Sequence, residues 1–317
     1  MVEADSLRPL PGRAAWNLGV SGPILVFGAE GQVGREVMAL AKAWGIEVAG
    51  CNRAQADITN FSAVEAAISS AEPRVVLNAA AYTAVDRAET EKETAYAANV
   101  VGGELVARAA AARCLPIIHI STDYVFDGTK IGAYVETDPI APLGVYGTTK
   151  AEGEARVREK NPRHFILRTA WVYGQFGTNF LKTILRLSRE REELRIVADQ
   201  CGCPTATQDL AEAIFAIDRA WVRGFEATGT YHFAGTGVTT WYGFASVIVE
   251  ARAQVTGQRP KVTPISTADY PTSARRPANS VLDSNLFGTV FGYRARAWQA
   301  RAQETVEMLL KDSRVQT

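Results

Sequence analysis

The feature that most constrains this chain is a glycine-rich turn between an apolar run and a helical pattern. Ile24-Leu-Val-Phe27 leads directly into Gly28-Ala-Glu-Gly31-Gln-Val-Gly34, and a helical pattern follows from Gly34 to Trp44. A short apolar run bounded by turn residues reads as a buried strand, and a tight strand-to-helix turn calls for glycine. The alternation continues. Ile46–Cys51 reads as a second strand, and Ser62-Ala-Val-Glu65 has the spacing of a capping box that opens the next helix. Arg74–Asn78 reads as a third strand, Thr90–Ala112 as one long alanine-rich helix and Pro116–Ser121 as a fourth strand. Tyr146–Glu159 is helical and His164–Thr169 is the next strand. Strands that alternate with helices argue for a parallel sheet covered on both faces.

Past Tyr173 the pattern loosens. Asn179–Arg191 and Gln208–Arg223 read as helices, Leu194–Ala198 as a strand, and Tyr231–Phe233 and Val262–Pro264 as short extended pieces. Thr267–Asn279, rich in Pro, Ser, Thr and Arg, reads as a loop. The expected fold is α/β: a Rossmann-type doubly wound parallel sheet with a smaller C-terminal substrate-binding lobe. Residues 1–22 are expected to be a flexible extension and 23–174 the dinucleotide-binding domain, with 204–235 packing back onto it. The lobe is expected to comprise 175–203 and 236–317. No linker of flexible composition separates the parts, so they are expected to share an interface.

The 34 basic and 34 acidic side chains cancel, which removes the electrostatic case for binding nucleic acid or an anionic membrane. No apolar run approaches the roughly 18 residues of a membrane helix, and Met1–Pro23 lacks the apolar core of a signal peptide. A soluble, cytoplasmic protein is expected. Cys51, Cys114, Cys201 and Cys203 are sparse, and His119, His164 and His232 are isolated from one another. Ordinary thiols fit this pattern better than a zinc or redox site.

The glycine turn fits a dinucleotide. Glycines let the backbone approach a pyrophosphate, and the helix N-terminus favours its charge. Gly28, Gly31, Gln32, Val33 and Gly34 are therefore candidate cofactor contacts. Cofactor choice is usually set at the end of the second strand, by a carboxylate for NAD or an arginine for NADP. Cys51-Asn52-Arg53 supplies an arginine, so NADPH is expected, with NADH as the alternative if Arg53 is only a solvated charge. Asp57 and Ile58 are placed at the adenine, and the small residues of Asn78-Ala-Ala-Ala81 leave room for the middle of the cofactor.

Tyr146 and Lys150, four residues apart, share one helix face. A phenol with a pKa of about 10 is almost wholly protonated at neutral pH. A positive charge about 4 Å away, at an effective dielectric of about 20, is worth about 4 kcal/mol. Lys150 is therefore expected to lower the pKa of Tyr146 and make it a general acid. Ser121-Thr122-Asp123 ends the fourth strand, at the edge where open parallel sheets bind ligands, and a hydroxyl there can reach a substrate carbonyl. Together these residues point to carbonyl reduction.

Here the chain resembles the extended short-chain dehydrogenase/reductase superfamily, and within it the dTDP-4-dehydrorhamnose reductase family. The resemblance spans Pro23 to Leu310. It rests on Gly28–Gly34, Asn78-Ala-Ala-Ala-Tyr-Thr-Ala-Val-Asp86, Ser121-Thr-Asp-Tyr-Val-Phe-Asp-Gly128 and Pro142-Leu-Gly-Val-Tyr-Gly147. It continues in Arg168-Thr-Ala-Trp-Val-Tyr-Gly174, Asp199-Gln200 with Gly202 and Pro204-Thr205, and Ala274-Arg-Arg-Pro-Ala-Asn-Ser280.

The resemblance implies Tyr146 as proton donor, Lys150 as its partner and the nicotinamide-ribose contact, and Thr122 rather than Ser121 as the hydroxyl beside them. It adds Ala79, Ala80, Ala81, Tyr82, Thr83 and Asn99 to the cofactor contacts, and Asp123, Tyr124 and Trp171 to those of the substrate. A sugar-stacking Trp171 and a core Trp171 stand as equal readings. Arg275 and Arg276 are candidates for the nucleotide diphosphate, the alternative being ordinary loop charges. Ala170 and Thr148 depart from the family's usual serine and lysine. Magnesium at a dimer interface, described for some members, brings in Glu36, Glu304 and Glu307, but no metal is expected in the chemistry.

The implied activity is NADPH-dependent reduction of the C4 keto group of a dTDP-linked 6-deoxy-4-keto-L-hexose, in a monomer or homodimer. Two alternatives stay open: reduction of another nucleotide-linked 4-keto-sugar, and a non-catalytic subunit like the regulatory subunit of methionine adenosyltransferase.

Overall fold

The computed structural model describes residues 21–225 and 227–315, so nearly all of the expected N-terminal extension lies outside the described residues. Its first half follows the expected alternation. Strand β1 (Ile24–Phe27) leads to α1 (Gln32–Trp44), then β2 (Val48–Cys51), α2 (Phe61–Ala71) and β3 (Val75–Asn78). Next come α3 (Val85–Ala88), α4 (Lys92–Tyr96), a π-helical turn at Ala97–Val101 and α5 (Gly102–Ala111). Strand β4 (Ile117–Thr122), α6 (Val145–Lys160) and β5 (His164–Thr169) complete this half.

The second half contains β6 (Val172–Tyr173), α7 (Phe180–Glu190), β7 (Glu193–Val197), β8 (Cys201–Gly202), β9 (Thr205–Ala206) and α8 (Thr207–Val222). It ends with β10 (Gly229–His232), β11 (Thr239–Thr240), α9 (Trp241–Thr256), β12 (Lys261–Ile265), α10 (Asn285–Phe291) and α11 (Trp298–Val315).

The central sheet has six parallel strands in the order β2-β1-β3-β4-β5-β10. The chain steps one way from β1 to β2 and the other way through β3, β4 and β5. Such a reversal opens a crevice at the C-terminal ends of the strands, where ligands bind in doubly wound folds. Strand β1 is buried on both faces. Ile24 and Val26 pack with Val37 and Ala41 of α1 and with Leu210 and Ile214 of α8. Leu25 and Phe27 pack with Val64 and Ile68 of α2 and Val106 of α5. Each such side chain contributes about 1.5–3 kcal/mol on full burial.

A separate core joins α7, β7, α9 and α11 through Leu181, Ile184, Leu194, Phe244, Ile248, Ala302 and Val306. In that region β7 pairs in parallel with β12. Phe287 and Phe291 of α10 instead pack into the core of the large sheet. Among the described residues, no helix is long and apolar enough to cross a membrane.

Two local expectations are corrected. Asn60, not Ser62, caps α2: its Oδ1 accepts from the Ala63 amide at 3.2 Å, so the helix begins two residues earlier. The helix expected over Thr90–Ala112 runs from Lys92 to Ala111, and its regular α geometry is interrupted at the π turn Ala97–Val101 that carries Asn99. Alanine content favours a helix throughout, and tertiary contacts set where it takes the π turn. Asn99 Oδ1 accepts from the Tyr82 amide at 2.8 Å, and its Nδ2 donates to Tyr82 O at 3.2 Å and Thr149 Oγ1 at 3.0 Å. One extra residue in the turn aims Asn99 at these partners, a frequent use of π-bulges.

Candidate active site

The glycine turn forms because two of its residues tolerate no side chain. Gly28 has φ +81°, and a methyl placed on it would lie 2.6 Å from the Ala80 amide nitrogen at the end of β3. A methyl on Gly34 would collide with Gly28 O, so α1 can start only this close to the turn with glycine there. Gly31 caps α1 without a side-chain hydrogen bond, and the first turn of that helix, with Gln32 and Val33, carries no acid. A helix N-terminus left open in this way, beside a backbone cradle that a Cβ would fill, fits a dinucleotide pyrophosphate. Ala79, Ala80, Ala81, Tyr82 and Thr83 follow β3 along the same edge, held there by Asn99.

The other expected cofactor contacts differ in their surroundings. Ile58 is buried and belongs to the core beneath α2 and α5. Arg53 is strongly exposed and donates from Nε to Asp57 at 3.1 Å, while Asp57 also accepts from the Thr59 amide at 2.9 Å. Asp57 is thereby held below the ordinary carboxylate range, chiefly by the Thr59 amide.

Alternation along β4 separates two adjacent hydroxyls. Ser121 donates to Glu154 Oε1 at 2.6 Å, beneath the sheet edge. Thr122 instead faces the crevice, where it accepts from the Tyr124 amide at 3.1 Å and donates to Asp123 Oδ1 at 3.0 Å. Tyr146 enters the same crevice from the first turn of α6, its ring edge-on to that of Tyr124 with centroids 5.9 Å apart. Glu89 Oε1 accepts from the Val145 amide at 2.9 Å, which ties the start of α6 one residue before Tyr146. Glu89, Tyr124, Tyr146 and Arg275 line one cleft.

The electrostatics correct one expectation. Lys150 lies one turn below Tyr146, but its Nζ donates to Ile120 O at 2.6 Å, and burial draws it down to about 8. Burial pushes the Tyr146 phenol up to about 12; Thr122 opposes this and Asp123 reinforces it. Desolvation of the phenolate is the dominant effect on this ring. The arrangement therefore holds Tyr146 as a protonated phenol, the form a proton donor needs. Asp123 is buried with Oδ2 unpartnered, and burial raises its carboxyl to about 7.

Below Lys150 lies a buried ladder of charges. Glu154, four residues on, accepts from Arg168 Nε at 2.9 Å and Nη2 at 2.8 Å, and from Arg158 Nη2 at 2.6 Å. Burial opposes the charge on Glu154, but Arg168, Ser121 and Arg158 together hold its carboxyl below the ordinary range. Glu154 is in turn the group that opposes the loss of charge on Lys150. The spacing Tyr146, Lys150, Glu154, Arg158 is a regular four-residue repeat, a signal readable in the sequence.

The late loop roofs the cleft. Arg276 donates from Nη1 to Asp86 Oδ1 at 3.0 Å and from Nη2 to Oδ2 at 2.6 Å, and the Ala274 amide joins the same carboxylate at 3.1 Å. Arg276 thus fastens the loop to α3, while Arg275 lines the cleft. Trp171, at φ +47°, is in a strained conformation for a bulky side chain. It stacks on Trp241 with centroids 3.5 Å apart and planes 7° apart, and Gly202 packs against its indole. The half-buried ring is thus packed by Trp241 and Gly202, as the core reading expects.

The acids considered for magnesium have protein partners. Glu36 accepts from Thr207 Oγ1 at 2.6 Å and Gln175 Nε2 at 3.1 Å. Glu304 pairs with Arg296 at 2.8 Å and Arg301 at 3.2 Å, and Glu307 pairs with Lys311 at 4.0 Å.

The family model described as the RmlD substrate binding domain matches residues 22–311. A dTDP-4-dehydrorhamnose reductase of Sinorhizobium fredii is 41% identical over 293 residues, 92% of this chain and 99% of that protein. The crystal structure of a dTDP-4-dehydrorhamnose reductase from Clostridium acetobutylicum aligns with a TM-score of 0.84 at 39% identity, covering 91% of this chain and 99% of its own. That of the Bacillus anthracis dTDP-4-dehydrorhamnose reductase in complex with NADP aligns with a TM-score of 0.82 at 34% identity, covering 92% and 99%.

Proposed function

The chain belongs to the family described as the RmlD substrate binding domain, and from that premise we propose that it is a dTDP-4-dehydrorhamnose reductase. It reduces the C4 keto group of dTDP-6-deoxy-L-lyxo-4-hexulose to give dTDP-L-rhamnose, with NADPH as the hydride source and Tyr146 as proton donor. The observation that carries this reading is the convergence of Tyr146 and Thr122 at the C-terminal sheet edge, in the crevice that the glycine turn also borders.

When bound, the reduced nicotinamide supplies the hydride. The protein supplies position and a proton. The turn Gly28–Gly34 and the N-terminus of α1 would hold the pyrophosphate, and Ala79–Thr83 would border the dinucleotide, with Asn99 fixing that segment. Thr122 orients the substrate carbonyl. As charge builds on its oxygen, Tyr146 delivers the phenolic proton, which burial keeps on the ring until a strongly basic alkoxide forms. Lys150, held by Ile120 O above Glu154, places a positive charge beneath the reaction. The sheet domain (23–174) carries the cofactor. The lobe of 175–203 and 236–315, without α10, which packs on the sheet, covers the sugar nucleotide, with Asp123, Tyr124 and Trp171 at the sugar and Arg275 nearest the diphosphate.

The test is NADPH oxidation by the purified protein with the 4-keto-sugar nucleotide, with the product identified by NMR. Turnover to the L-rhamno product is expected, together with its loss in Tyr146→Phe and retained NADP+ binding in that variant. Full activity in Tyr146→Phe would sink the mechanism.

A further inference from the structure

We propose that Glu89 is a positioning residue for the proton transfer: it caps the catalytic helix from outside and thereby holds the Tyr146 ring at the substrate carbonyl. This rests on the reading of Tyr146 as proton donor and deepens it. Tyr146 is the second residue of α6, in the terminal turn where a helix frays most readily. That turn has no cap of its own. Gly144, the N-cap, brings no side chain, and the first turn carries no acid. The cap comes instead from half-buried Glu89 at the end of α3, whose Oε1 accepts from the Val145 amide at 2.9 Å. The carboxylate also brings a negative charge to the positive end of the helix. A methyl on Gly144 would lie 2.6 Å from Glu89 Oε1, so a bare N-cap is the condition for this contact.

The rest of α6 is held independently. Lys150 Nζ donates to Ile120 O, Thr149 Oγ1 accepts from Asn99 Nδ2 at 3.0 Å, and Glu154 is bound by Ser121 and Arg168. Loss of Glu89 therefore frees the first turn and its tyrosine, while Lys150 and the body of the helix stay in place. Glu89 lines the same cleft as Tyr146 and Arg275, but its bond is to the helix. The short helix α3 thus serves two parts of the site. Asp86 fastens the roof loop through the Ala274 amide and Arg276, and Glu89, one turn on, fastens the catalytic helix. A misplacement of about 1 Å in a reacting group can cost about 10²-fold in rate. The two carboxylates therefore act on different kinetic constants: Asp86 on substrate binding, Glu89 on the chemical step.

The test is steady-state NADPH oxidation with the 4-keto-sugar nucleotide by wild type, Glu89→Gln, Glu89→Ala, Gly144→Ser and the Glu89→Ala/Gly144→Ser double variant. Calorimetry of NADP+ binding and circular dichroism melts accompany it. Glu89→Ala is expected to lower kcat about tenfold, with KM for the sugar nucleotide and NADP+ affinity within about twofold of wild type. Glu89→Gln keeps an acceptor for the Val145 amide and should recover most of that loss. Gly144→Ser collides with Glu89 and is expected to lower kcat about tenfold as well. In the Glu89→Ala background that space is open, and the extended backbone of Gly144 (φ −145°, ψ 176°) suits an N-cap serine. There the same substitution is expected to raise kcat about fivefold. A folded Glu89→Ala with unchanged kcat overturns the inference and leaves the reductase reading standing, as does a Gly144→Ser effect of one sign in both backgrounds. Should Glu89→Ala alone not fold, a double variant more active than Gly144→Ser supports the inference, and one no more active overturns it. Folded wild type without turnover overturns both.

Discussion

Replacing Lys150 with methionine is expected to stabilise the fold while removing the chemistry. Lys150 is 2% exposed, and burial draws its ammonium from the ordinary 10.5 to about 8. At about 1.36 kcal/mol per tenfold change in proton affinity, keeping it charged costs the native state about 3 kcal/mol at pH 7. The hydrogen bond from Nζ to Ile120 O, at 2.6 Å, offsets about 1.5 kcal/mol of that. Methionine has a similar unbranched shape and no charge to desolvate. The variant should therefore be more stable by about 1–2 kcal/mol at pH 7.

The sign of the pH dependence follows. Between about pH 8 and 10.5 the unfolded chain binds a proton at this site that the native state does not, so wild-type stability rises with pH across that window. The variant lacks this rise, and its advantage should shrink and reverse near pH 10. Urea denaturation of both proteins from pH 7 to 10 measures this, and their difference cancels the thiols and phenols that titrate in the same range. Turnover should fall by about 10³-fold. A variant less stable than wild type at pH 7, or a stability difference independent of pH, would refute the reasoning.

Three further outcomes are expected. Burial raises Asp123 from 3.8 to about 7, so the native state retains a proton there that the unfolded chain releases, and wild-type stability falls as pH rises through that window. Asp123→Asn should abolish that fall and be the more stable protein at pH 8, by up to about 4 kcal/mol, as thermal melts at pH 5 and pH 8 would show. Gly28→Ala, with φ +81° and a methyl 2.6 Å from the Ala80 amide nitrogen, should lose at least about 2 kcal/mol of stability. It should also lose NADP+ binding, measured by calorimetry. Asp86→Ala releases Arg276 and the Ala274 amide, so steady-state kinetics should show KM for the sugar nucleotide rising about tenfold. Stability should change by no more than about 1 kcal/mol, because the pair is partly exposed.

The parts of this protein legible in the sequence are those encoded by local periodicity. Ile24–Phe27 and His164–Thr169 are strands as read from their apolar runs, and the glycine turn lies between strand and helix because Gly28 and Gly34 are sterically required there. Tyr146 and Lys150 share a face of α6 because residues four apart in a helix must. Less legible was anything that depends on a partner far along the chain. The alanine-rich stretch from Thr90 to Ala112 has the composition of a regular helix, but Asn99 reaches back to Tyr82 and forward to Thr149, and the helix takes a π turn there.

The sequence by itself determined the layering of helices on a parallel sheet, the strand ends at which chemistry can occur, and the residue types available to perform it. The tertiary structure decided how those residues are used. It sends the Lys150 ammonium to Ile120 O rather than to the phenol, gives Ser121 to Glu154 and leaves Thr122 to the crevice. It also spends Arg276 on Asp86, stacks Trp171 on Trp241 and brings Glu89 to the start of α6. Local propensity follows from backbone sterics within a few residues, whereas the strength and direction of a charge depend on burial and on partners that only the folded chain brings together.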